Sequence, residues 1–148
     1  MMPLITSLLR RLEASPHWLH AILCRWGVAA IFWRSGQTKV SGLTINESTF
    51  DLFRDEYKVP LLPPDLAAVM ATVSEHVFPV LLMVGLASRL SAAALLGMTL
   101  VIQTFVYPGS WPDHLLWASA LAYVLAKGPG ALSIDHFILK SQRERRPS

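Results

Sequence analysis

Four apolar stretches separated by polar breaks set the pattern of this chain, at about 18–35, 65–85, 91–107 and 113–126. The second, Asp65 to Gly85 (DLAAVMATVSEHVFPVLLMVG), is almost wholly apolar, with Glu75 and His76 near its centre. A helix of about 20 residues rises about 30 Å, the thickness of a hydrocarbon core. A carboxylate at that depth is costly and has to face a protein interior or a wet cavity. The pattern predicts an all-α integral membrane four-helix bundle, one domain over 1–148, in which the other segments supply Glu75 with a partner.

The breaks between the stretches refine this. Trp18 and Trp33 mark the ends of the first span, since indole rings favour the headgroup region. Gly36 to Pro64 is too long a loop to be featureless. Within it Phe50, Phe53 and Tyr57, with Ile45, predict the apolar face of a short amphipathic helix on the membrane surface or capping the bundle. Asp51, Arg54, Asp55, Glu56 and Lys58 fall outside that face. VPLLPP then breaks the helix and Asp65 is the predicted N-cap of the second span. Leu86 to Leu90 reads as a tight turn, Pro108-Gly109 ends the third span, and Lys127-Gly128-Pro129-Gly130 stops the fourth. At the N-terminal side Leu4, Ile5, Leu8, Leu9 and Leu12 repeat at helical spacing, which predicts a retained interfacial segment. Arg25 interrupts the apolar run that a signal peptide would need.

Composition agrees with the pattern. The chain is 53% hydrophobic and 16% charged with a mean hydropathy of +0.42, against about 25% charged residues in a typical soluble domain. The net charge of +3 does not point to nucleic acid, because the basic residues sit at segment ends with no interleaved stacking aromatics. The expected partner is the lipid bilayer. A lone cysteine, Cys24, excludes an intrachain disulfide and a cysteine-built metal site. His17 and His20 are three apart but lie at the membrane edge, so no metal centre is predicted. There is no phosphate-binding glycine loop, CxxC pair or nucleophile motif.

The charges also give an orientation. With four spans, Arg10, Arg11, Arg89, Lys127, Lys140, Arg143, Arg145 and Arg146 share one side, and Lys39, Arg54 and Lys58 share the other. The positive-inside rule puts both termini in the cytoplasm, the basic tail 137–148 with them, and the long loop outside.

Two constellations could carry chemistry. Arg25 and Glu75 each lie about ten residues from the outer end of their spans, which run in opposite directions, so an intramembrane Arg25–Glu75 pair is expected. It reads either as a proton-linked or ligand-anchoring site, or as an ion pair that fixes helix register. Arg34, Lys39, Gln103, His114 and Trp117 form a second group toward the outer face, with His114 and Trp117 on one helix face. Such a histidine, amide and cations around an aromatic ring could hold a quinone head. They could equally be an ordinary polar rim. His76 projects about 100° away from Glu75 and reads as a satisfied interior or interface histidine.

These residues resemble a known pattern. CRWGVAAIFWRSGQTK is similar to the first span of the DoxX family of small four-span bacterial membrane proteins, on Arg25, Gly27, Gly36 and Lys39. Glu75 follows, then Gly85-Leu86-Ala87-Ser88-Arg89, His114, and GPGALSID on Gly128, Pro129, Gly130, Ser133 and Asp135. The resemblance runs from about Trp18 to His136. It implies a multi-pass protein of the bacterial inner membrane. Some relatives are linked to thiosulfate oxidation with quinone as acceptor, others to membrane-tethered thiol or oxidative-stress complexes. The implied role is a subunit or anchor of a membrane redox system, partnering an oxidoreductase and binding quinone. A non-catalytic scaffold, or a small proton-coupled carrier working as a homo-oligomer, are the alternatives. With no thiol pair and no visible flavin or haem site, the chain would be at most an accessory subunit.

Overall fold

The computed structural model describes residues 5–7, 10 and 14–145. Most of the expected N-terminal segment, including Leu4, Leu8, Leu9 and Leu12, lies outside the described residues, as do Arg11 and Arg146. Helix α1 runs His17–Gln37, and a two-residue antiparallel hairpin follows, β1 (Val40–Ser41) on β2 (Thr44–Ile45). Helix α2, Glu47–Asp51, continues as a π-helical turn, Leu52–Tyr57. Next come α3 (Pro64–Val84) and α4 (Ser88–Val101), the latter extended by a second π turn, Ile102–Val106. A 3₁₀ turn, Pro108–Ser110, leads into α5 (Trp111–Lys127), and α6 covers Ile134–Glu144.

The four long helices match the four apolar stretches. They pack in a ring, α1 on α3, α3 on α4, α4 on α5 and α5 back on α1. Their shared core is Val28, Ala29, Phe32, Leu82, Ala92, Leu95, Leu121 and Val124. Helix α3 and the 88–106 helix are long and apolar enough to cross a bilayer. On α3 the residues Leu66, Val69, Val73, Val77, Val80 and Val84 form an exposed stripe at helical spacing along its whole length. An unbroken apolar face of this kind suits lipid rather than water.

Two features were not expected from the sequence. One is the small hairpin, set up by Gly42 at positive φ. The other is α6, in a segment expected to be a solvated basic tail. Its N-terminus is built by side chains: Ser133 Oγ accepts from the His136 N–H at 3.2 Å, an N-cap in the usual sense. Asp135 reaches back and accepts from the Ala87 and Ser88 N–H groups at 2.8 Å each, capping α4. The Asp135 N–H donates to Gly85 O at 2.9 Å. These bonds tie the start of α6 to the α3–α4 turn.

Candidate functional site

The two charges expected at membrane depth do not pair as expected. Arg25 is buried, but its guanidinium donates to Leu82 O (2.8 Å), Met83 O (2.9 Å), Pro129 O (2.6 Å) and Leu132 O (3.1 Å). The last carbonyls of a helix have no partner within it and carry the negative end of its dipole. Arg25 satisfies two such carbonyls on α3 and staples them to the segment after α5. The expected Arg25–Glu75 pair is therefore corrected: Arg25 is a buried clamp at the end of the bundle that holds the α3–α4 turn.

Glu75 pairs instead with Lys39, Oε2 to Nζ at 2.7 Å. The register explains the difference. Helix α1 ends at Gln37, and Gly36 lies level with Glu75, so close that a Cβ there would come within 3.1 Å of the Glu75 Cβ. Arg25, eleven positions earlier, lies level with the C-terminal end of α3. The chain turns inward after α1, with Lys39 N–H on Gly36 O at 3.0 Å, and delivers the lysine into the interior. Lys39 is only 7% exposed and Glu75 3%. Lys39 Nζ also donates to Ser35 Oγ at 3.1 Å and reaches Ser35 O at 3.4 Å, while Ser35 Oγ donates to Glu75 Oε1 at 3.2 Å. Every donor in this cluster is directed at, or held beside, one carboxylate.

The cluster borders a cavity of about 300 Å³ enclosed by α1, α3, α4 and α5 beneath the α2 segment. Its walls are mainly apolar, with Phe32, Met70, Ala71, Met98 and Ile102 among them. His114 and Trp117 line it from α5, and Tyr57 and Tyr107 from the outer end. The His114 and Trp117 rings meet edge to face at 4.9 Å, and Trp117 meets Phe32 likewise at 5.7 Å. His114 Nδ1 lies 2.7 Å from Gln103 Oε1, and Gln103 Nε2 donates to Pro108 O at 2.8 Å. The Tyr107 hydroxyl is 3.0 Å from Glu56 Oε1 and 3.3 Å from the Tyr57 hydroxyl. Burial, followed by the hydrogen bond to Tyr107, holds the Tyr57 phenol above the usual tyrosine range.

The α2 segment covers one end of the cavity as its amphipathic pattern required. Phe53 is buried against Ala67 and Ala68 at the start of α3, with Phe50 and Tyr57 beside it. Arg54 binds Asp65 through two bonds, 2.8 and 3.0 Å. Asp65 thus serves the loop as an ion-pair partner and does not cap its own helix, where Pro63 holds the N-cap position without a side-chain bond.

Of the second expected group, the structure brings Lys39, His114 and Trp117 to the cavity, with Gln103 directly behind His114. Arg34 is exposed and does not line it. His76 is bonded to Thr72 O (2.6 Å) and Gln37 Nε2 (3.0 Å) and meets Trp33 edge to face. Ser35, Tyr57 and Tyr107 belong to the site and were not anticipated there. The spacing of Ser35 and Lys39, four apart at a helix end, was the available signal. Of the remaining motif residues, Gly36 admits Glu75, Arg89 lies 3.4 Å from Ala126 O, and Gly130 makes room for Trp18 and Ala21. Arg89 and Gly130, with Gly128, Pro129, Ser133 and Asp135, build the end of the bundle opposite the cavity, while Gly36 lies beside it.

The DoxX family model matches residues 20–108 of this chain. The chain belongs to the DoxX family. That match includes Arg25, Lys39, Glu75 and Gln103, and it ends before His114 and the GPG segment. A curated relative, an uncharacterized protein of Haemophilus influenzae, is 28% identical over 80% of this chain and 83% of its own length. No solved structure matches.

Proposed function

We propose that this DoxX protein is a membrane subunit of a redox system and that its cavity binds the head of a quinone-class lipid. The observation that carries the reading is the joint presence, in one mainly apolar cavity of about 300 Å³, of the Lys39–Glu75 pair and His114. Lipid-soluble ring compounds need this combination of apolar walls and a few fixed polar groups. Arg25, buried and fully occupied by carbonyls, is assigned to architecture, and the site is placed at Glu75 and His114.

In this reading all four long helices cross the bacterial inner membrane. Exposed apolar residues on α1 (Leu23, Trp26), α4 (Leu100, Phe105) and α5 (Leu115, Leu116) support it. Both termini lie in the cytoplasm with α6, and the α2 segment faces outward. In this reading a partner oxidoreductase supplies the electron chemistry.

The test is purification from native membranes in mild detergent, followed by mass spectrometry of extracted lipids and co-purifying proteins. A near-stoichiometric isoprenoid quinone, lost when Ala71→Phe fills the cavity, is the expected result. A well-folded protein carrying neither quinone nor an oxidoreductase would remove the reading.

A further inference from the structure

The hydrogen-bond directions around the cavity select which form of such a ligand fits, and the inference rests on the cavity being the ligand site. The Gln103 amide is oriented by Pro108: the group 2.8 Å from that carbonyl must be the NH₂, so the amide oxygen is the atom facing His114. Nδ1, 2.7 Å away, then has to carry the ring proton. In the neutral ring Nε2 is left as an acceptor.

On the opposite wall the Lys39 and Ser35 donors are already used. The three protons of Lys39 Nζ are matched by Glu75 Oε2, Ser35 Oγ and Ser35 O. The Ser35 hydroxyl proton goes to Glu75 Oε1. Glu75 Oε2 is ion-paired with Lys39 and closed off from the cavity, with under 1 Å² of accessible surface, so it neither donates to a ligand nor accepts from one. At the mouth, Glu56 can only accept, so the Tyr107 proton is directed at that carboxylate, with the Tyr57 hydroxyl 3.3 Å from the Tyr107 oxygen. Ser74 can turn either way, and the Trp117 indole N–H is a donor with no partner among the described residues.

We infer that the cavity recognises a hydroxyl-bearing ring, the hydroquinone form of its ligand class, in preference to the dicarbonyl form. One fixed acceptor, His114 Nε2, receives a phenolic O–H donor, and the facing Lys39 and Ser35 protons are already taken. A quinone carbonyl set against that nitrogen would leave two lone pairs facing each other with no proton between them. A hydrogen bond to a charged or fixed acceptor discriminates by about tenfold or more.

The experiment titrates the detergent-purified full chain, stripped of lipid, with three short-chain ligands by calorimetry under anaerobic conditions. They are a benzoquinone, its hydroquinone, and the hydroquinone dimethyl ether, which keeps ring and size but cannot donate. The hydroquinone is expected to bind about tenfold or more tightly than the other two. In Gln103→Leu, which frees the imidazole to exchange its proton between nitrogens, that ratio is expected to fall and quinone binding to rise. Equal binding of hydroquinone and dimethyl ether, or a ratio unchanged in Gln103→Leu, would overturn the inference while leaving the cavity as a ligand site. Binding of none of the three by a folded protein would overturn the ligand-site reading itself, and the inference with it.

Discussion

At the scale of single residues, the structure divides the buried charges into one clamp and one pair. Arg25 is matched by four carbonyls and Glu75 by Lys39 and Ser35. Breaking a buried pair by removing one partner costs about 3–5 kcal/mol, much of it the penalty of the stranded charge. Lys39→Met and Glu75→Leu should each destabilise the protein by about that much, and the double variant by clearly less than their sum. A thermodynamic cycle between Arg25→Met and Glu75→Leu should show no comparable coupling. Unfolding measured in detergent distinguishes the two cycles. The sequence displayed all three charges, yet counting depth from an assumed common surface matched the wrong two. What it could not display is that α1 stops at Gln37 and the chain re-enters, a turn encoded in contacts between Gly36, Glu75 and His76 that are far apart in sequence.

At the scale of elements, apolar periodicity was enough to locate the four long helices and the loop helix. Their ends differ from expectation by a few residues, as caps and π turns usually make them. Helix α6 was hidden because its apolar residues Ile134, Phe137, Ile138 and Leu139 are exposed and short of a full span, so the basic residues dominated the reading. Its attachment depends on Asp135. Asp135→Ala removes the cap of α4 and should cost about 0.5–2 kcal/mol, with faster amide exchange at Ala87 and Ser88 as the local sign. For the α2 segment, magnitudes separate two kinds of contact. The Arg54–Asp65 pair is exposed, and exposed pairs contribute about 0–1 kcal/mol. Phe53 is buried, and truncating a buried phenylalanine costs about 3–5 kcal/mol. Hydrogen exchange over 47–57 should therefore rise sharply in Phe53→Ala and little in Arg54→Ala.

At the scale of the whole molecule, one end of the bundle is architectural and the other chemical. Arg25, Asp135, Ser133 and the GPG segment bind the α1 start, the α3–α4 turn and the α5 end into one knot. The opposite end is a cavity roofed by the α2 segment. This division explains why the motif residues were legible as a set while their roles were not: most of them hold helices together, and few face the cavity. In the proposed orientation the basic residues of α6 place the knotted end in the cytoplasm, and a phosphatase fused after Ser148 that works only outside the cytoplasm should then be silent. The central claim is that the cavity is where the ligand sits, and photo-labelling tests it most directly. An azido-benzoquinone irradiated with the protein in lipid nanodiscs should mark Ala71, Ser74 or Glu75, Tyr57, and His114 or Trp117, and an excess of unlabelled short-chain hydroquinone should abolish the marking. Label confined to the outward stripe of Val73, Val77 and Val80 and insensitive to that competitor would contradict the account.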